Sequence, residues 1–130
     1  MADPAPRDNG RADQPLRVAV VGHCASGKTT LVSGLRQRGY DAYAVAQEHS
    51  GVATLWCHAA PDVLIYLQVP LTTVRERRGA AWSQTVYDAQ ETRLADARAH
   101  ANFVLDTSRE NALQAVAHAV ALLESPQVAR

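Results

Sequence analysis

The eight residues Gly22-His23-Cys24-Ala25-Ser26-Gly27-Lys28-Thr29 fit the pattern G-x-x-x-x-G-K-[ST], whose chemistry is the holding of phosphate. Glycines at both ends let the backbone wrap closely enough for its N–H groups to point inward. A helix opening at the end of the pattern turns its positive N-terminus toward the same anion. Lys28 would bridge the outer phosphates. Thr29 would offer its hydroxyl to a Mg2+ ion shared with them, and Thr30 completes the binding set. Glycines that merely make a tight turn would give the same spacing, but the strand expected before the motif and the helix expected after it favour the phosphate reading.

Other reactive groups are sorted by where the expected strands place them, because ligands of open parallel sheets bind at the carboxyl ends of the strands. Glu48 and His49 follow the second expected strand and Asp106 follows the last, so all three can reach the site. Asp62 precedes its strand and belongs at the far end. The apolar stretch Tyr66-Leu67-Gln68-Val69 ends in a neutral amide where an aspartate holding Mg2+ is usual, which weakens any expectation of vigorous hydrolysis. Glu48 is the substitute, as a water-mediated Mg2+ partner or as the base that takes a proton from an incoming hydroxyl. A solvated loop carboxylate explains Glu48 equally well. His49 is expected to orient Glu48 or to cap the next helix.

Arg75, Arg77 and Arg78 cluster before Gly79, where a basic lid could close over a transferred phosphoryl group; of the three, Arg78 is the choice. A solvated helix face is the plainer explanation. Arg93 and Arg98 fall on different faces of the following helix, so one phosphate does not engage both. The pairs His23-Cys24 and Cys57-His58 lack chelating spacing, so a metal site assembled from these two halves is not expected.

These groups need elements to position them. The chain has 130 residues, enough for one domain with one core. Thirteen basic residues balance thirteen acidic ones, leaving no overall field for nucleic acid or an anionic membrane. The two cysteines form no CxxC pair, and no apolar N-terminal run resembles a signal peptide or a membrane span. Free thiols in a cytoplasmic protein are the expectation. Residues 1–15 read as a disordered tail, 16–124 as the folded domain and 125–130 as a frayed end.

Arg17 to Val21 and Val63 to Val69 are apolar on both alternations, as central parallel strands require. Shorter strands are expected within Asp41 to Gln47 and at Phe103 to Leu105. Helices are expected after Lys28, with Leu31, Val32 and Leu35 buried and Gly39 as cap. Further helices are expected from Ser50 to Ala60, from Thr72 to Arg78, and from Thr85 to His100. Thr107 and Glu110 have the spacing of a capping box that opens a last helix, with Leu113, Val116, Val120 and Leu123 buried. The alternation implies an α/β fold, a three-layer αβα sandwich on a small parallel sheet of the P-loop NTPase type.

From Leu16 to Glu124 the chain resembles the P-loop small-molecule and nucleoside monophosphate kinase superfamily, in a shortened layout like that of shikimate kinase or gluconate kinase. The resemblance is carried by the phosphate motif and by Pro61-Asp62-Val63-Leu64-Ile65-Tyr66-Leu67, followed by Pro70 and an arginine-rich helix. Arg93 and Ala101-Asn102-Phe103-Val104-Leu105-Asp106-Thr107-Ser108 are similar to the kinases' pre-strand arginine and "A-D-x-x-x-D-T-S" ending. The resemblance implies that Arg78 and Arg93 contact transferring phosphate or substrate and that Thr107 and Ser108 lie near adenine. The missing length falls between Gln47 and Pro61, where the kinases keep a third strand and much of the acceptor site. No N-K-x-D follows a strand, which argues against a Ras-like GTPase. The expectation is an ATP-binding protein with Mg2+ that transfers the γ-phosphoryl group to an unidentified small acceptor. A regulatory or interaction module that binds nucleotide, or hydrolyses it slowly, is the alternative. Trp56 and Trp82 are read either as partly buried core residues, the more common case, or as marking the surface of a homodimer.

Overall fold

The computed structural model describes residues 14–128. It is an α/β fold on a four-stranded, all-parallel sheet of order β2-β1-β3-β4, compatible with a three-layer sandwich. The strands are β1 (Arg17–Gly22), β2 (Asp41–Ala44), β3 (Val63–Gln68) and β4 (Phe103–Asp106). The helices are α1 (Lys28–Gln37), α2 (Leu71–Arg78), α3 (Gln84–His100) and α4 (Ala112–Leu123). Among the described residues, no helix is long and apolar enough to cross a membrane.

The two-residue side-chain period of a strand explains how the layers form. In β1 and β3 every second residue, Val18, Val20, Ile65 and Leu67, faces α1 and α4 in one core cluster. The intervening Ala19, Val21, Leu64 and Tyr66 meet Leu94 and Ala97 of α3 in a second. Apart from Arg17 at the start of β1 and Gln68 at the end of β3, both central strands are therefore apolar. The end strand β4 alternates, with Phe103 and Leu105 buried and Val104 exposed.

Leu31, Val32 and Leu35 form the buried stripe of α1, which ends at Arg38 and Gly39. Gly39 takes φ 94, and the N–H of Tyr40 returns to Leu35 O at 3.1 Å as the chain reverses into β2. Where α1 crosses α4, a Cβ on Gly34 would lie 2.4 Å from Val116 Cγ2, so only glycine lets the helices approach this closely. Asp62 lies at the opposite end of the sheet from the phosphate pattern and accepts from the backbone N of Arg17 at 2.8 Å.

The sequence expectations need correction in three places. No α-helix forms over Ser50–Ala60; there are two short 3-10 turns, Gln47–His49 and Leu55–Cys57. The cause is Gln47, fully buried, whose amide donates to Val52 O at 2.7 Å and accepts from Trp56 N at 2.9 Å. One side chain thus takes backbone groups that a helix would have paired internally. The capping box of α4 is formed by Asn111 and Gln114 rather than by Thr107 and Glu110. The helix phase follows from that start, burying Val116, Ala119 and Leu123 and leaving Leu113 77% exposed.

Beyond α4 the chain makes a further 3-10 turn, Pro126–Val128, and Val128 packs on the first core cluster. Residues 1–13 of the expected tail, and residues 129 and 130, lie outside the described residues.

Candidate functional site

The turn from Gly22 to Thr29 leaves the carboxyl end of β1 and enters α1. Gly22 pairs with Leu67 at the end of β3, and a Cβ there would meet Leu67 O at 2.6 Å and Ser26 Oγ at 2.7 Å. A side chain at this position would force the turn off the sheet. Ala25 and Gly27 both take positive φ, 67 and 96, so the backbone curls back on itself before the helix starts. Gly27 provides no side-chain cap, which leaves the first N–H groups of α1 pointing out of the helix end without a side-chain acceptor.

Lys28 folds back over this turn. Its ammonium donates to Gly22 O at 2.8 Å, to His23 O at 3.2 Å and to Glu48 Oε2 at 2.6 Å, which uses all three of its protons. Glu48 is buried, and its other oxygen, Oε1, has no partner among the described residues. Ser26 Oγ and Gln68 Oε1 are buried and unpartnered in the same way. Buried polar atoms without partners are uncommon in folded proteins.

Arg93 reaches from α3 to Glu48 O at 3.2 Å. His49 is exposed beside Glu48, with Nε2 3.7 Å from Glu48 Oε2. The helix that His49 might have capped is absent, so of its two expected roles only the contact with Glu48 has a structural counterpart.

At the end of α2, Arg77 is the arginine that touches the turn, donating to Ala25 O and to Thr107 O, both at 2.7 Å. Arg78, the expected lid residue, instead lines a cavity of about 360 Å³ with Arg77. Ala25, Ser26, Gly27, Thr30, Leu31 and Thr107 form the wall toward the turn, and Glu110, Asn111, Ala112 and Ala115 close the opposite side. Thr107 is buried and donates its hydroxyl to Ser26 O at 2.7 Å. Ser108 donates its backbone N–H to Asp106 Oδ1 at 2.9 Å. These bonds from Ser108 hold the Asp106 carboxyl below its ordinary range. Thr29 is exposed on the first turn of α1, and among the described residues no hydrogen bond joins it to Glu48.

The local motif gave no sign of how α3 clamps the turn. His23 is fully buried and stacked on Tyr87, with ring centroids 4.1 Å apart and 7° between planes. Its Nδ1 lies 3.2 Å from Gln90 Oε1, and its Nε2 lies against Glu91 Oε1. Gln90 Oε1 also accepts from Cys24 N at 3.2 Å. Tyr87 donates its hydroxyl to Val69 O at 2.7 Å, and its own ionisation is pushed up by burial and then by Glu91. Tyr87, Gln90 and Glu91 have i, i+3, i+4 spacing, so one polar face of α3 was the signal available in the sequence.

Trp56 is half-buried, its indole N–H bonded to Asp96 at 2.8 Å; Trp82 is half-buried too. Both thiols are free. The chain matches no protein-family model and no curated protein.

Proposed function

We propose that the turn from Gly22 to Thr29 is a P-loop that binds the phosphates of ATP, and that the protein transfers the γ-phosphoryl group to a small acceptor. The observation that carries this reading is Lys28, a half-buried ammonium held over a glycine-bounded turn at the carboxyl end of a central strand. A polyphosphate has the charge and the acceptors to draw Lys28 away from Glu48. The uncapped N–H groups of α1 and the hydroxyls of Ser26 and Thr30 would bind the same anion. The neighbouring cavity has room for the nucleoside.

The donor chemistry suits Mg2+: Glu48 retains a buried, unpartnered carboxylate oxygen, and with Thr29 it would hold the ion, which neutralises charge on the phosphates. The alternative role of Glu48, in place of holding the ion, is that its carboxylate, released when Lys28 turns to phosphate, accepts the proton of an incoming hydroxyl. Arg77 and Arg78, on the cavity wall, would screen charge on the transferred group. Arg93 positions Glu48 through its backbone carbonyl.

The test is thermal unfolding with ATP, ADP, GTP and GDP, with and without Mg2+, for the natural chain and Lys28→Ala. At roughly a hundred times its dissociation constant a ligand adds about 2.7 kcal/mol. The expected result is a Mg2+-dependent shift of several degrees with adenine nucleotides that Lys28→Ala abolishes. ADP release that depends on an added acceptor would then identify the transfer. A second reading, a nucleotide-dependent interaction module, is favoured by residues 47–61. Their two short turns give little surface for an acceptor. Its sign is an oligomeric or partner profile that differs between ATP and ADP.

A further inference from the structure

The side chains of Cys24 and His49 have no assigned part in phosphate binding, yet they meet beside Glu48. Cys24 comes from the turn, and Glu48 and His49 from the 3-10 turn after β2. Their Sγ, Nε2 and a carboxylate oxygen all lie within 4.8 Å of one another. Cys24 Sγ is 3.5 Å from His49 Nε2. In a tetrahedral zinc site, metal–sulfur and metal–nitrogen bonds of about 2.3 and 2.0 Å hold sulfur and nitrogen roughly 3.5 Å apart. The pair already has the separation of two ligands to one ion. The third donor comes from Glu48: its Oε2 is 3.7 Å from His49 Nε2, and on the same side chain, 5% exposed, Oε1 is buried without a partner.

We propose that Cys24, His49 and Glu48 bind a thiophilic divalent cation of the Zn2+ class. Sulfur and imidazole in the donor set select Zn2+ and its transition-metal neighbours over Mg2+. Three protein ligands leave a fourth position open to water or an anion. The cation shares the Glu48 carboxylate with the Lys28 ammonium, and the two positive charges repel. Binding of the cation therefore weakens the hold of Glu48 on Lys28. The site requires no nucleotide.

The experiment is titration of the full chain with Co2+, followed by Zn2+, without nucleotide or Mg2+. One equivalent of Co2+ gives thiolate-to-cobalt absorption in the near ultraviolet together with the visible bands of a tetrahedral ion, and Zn2+ erases both. Cys24→Ser removes the charge-transfer band. Cys57→Ser leaves it, because that thiol is exposed and donates to Thr54 O. His49→Ala changes an exposed side chain, so it keeps the fold by circular dichroism while weakening Co2+ binding by more than about a hundredfold. If Cys24→Ser does not fold, His49→Ala carries the test. Absence of the band in the natural chain, its survival in Cys24→Ser, or unchanged affinity in His49→Ala overturns the proposal.

Discussion

The two faces of the sheet are held by different forces. Among the described residues, fourteen buried apolar residues make one cluster toward α1 and α4; toward α3 there are six, two of them alanines. On that second face polar contacts take over: Tyr87 to Val69, Gln90 and Glu91 around His23, Trp56 to Asp96. Apolar burial is strong and non-directional, whereas each hydrogen bond contributes only about 0.5–1.5 kcal/mol net but fixes angles and distances. One face therefore supplies stability and the other supplies position. Glu48, bonded at its backbone to Arg93 of α3, belongs to the positioning side.

The largest expected effect tests the stabilising face. Leu35 is fully buried, so Leu35→Ala costs about 2–5 kcal/mol in chemical denaturation. Nucleotide affinity per folded molecule stays unchanged. Next is Gly34→Ala, which drives a methyl into Val116 and costs about 1–3 kcal/mol by the same measurement.

On the positioning face, Gln90→Ala strands His23 Nδ1 and the Cys24 N–H, at a cost of about 1–2 kcal/mol. Its distinguishing mark is local. Hydrogen exchange should accelerate at residues 23–26 more than in β1, and ATP affinity should fall with it. Unchanged exchange in the turn would break the comparison.

The smallest effect belongs to Asp106. Ser108 lowers its folded pKa below the ordinary 3.8, so its contribution to stability is present above that value and is lost as pH falls through the depressed one. Urea midpoints of the natural chain and Asp106→Asn should therefore differ near neutrality and converge in acid.

What could be read from the sequence follows the same division. β1, β3 and the turn between β1 and α1 were legible, because apolar alternation and glycine spacing are local signals that the core reinforces. The segment after β2 was not. Its apolar spacing looked helical, but a buried Gln47 captured its backbone. In α4 the large Leu113 was expected inside, yet the Asn111 cap set a phase that buries the small Ala119 instead. The distinction between Arg77 and Arg78 depends on the angle at which α2 ends, which no local pattern encodes. His23 lies more than sixty residues from Gln90 and Glu91 in sequence, and a polar contact over that distance leaves no periodicity to read.

The lengths of the strands also bear on how the protein behaves in a crowded solution. The two central strands run six residues, but those at the ends of the sheet, β2 and β4, run only four. Each end strand carries an exposed aspartate, Asp41 or Asp106. A neighbouring chain seeking to extend the sheet sideways would gain few backbone bonds and would have to desolvate a carboxylate. The fold thereby resists fibrillar growth at its two rims.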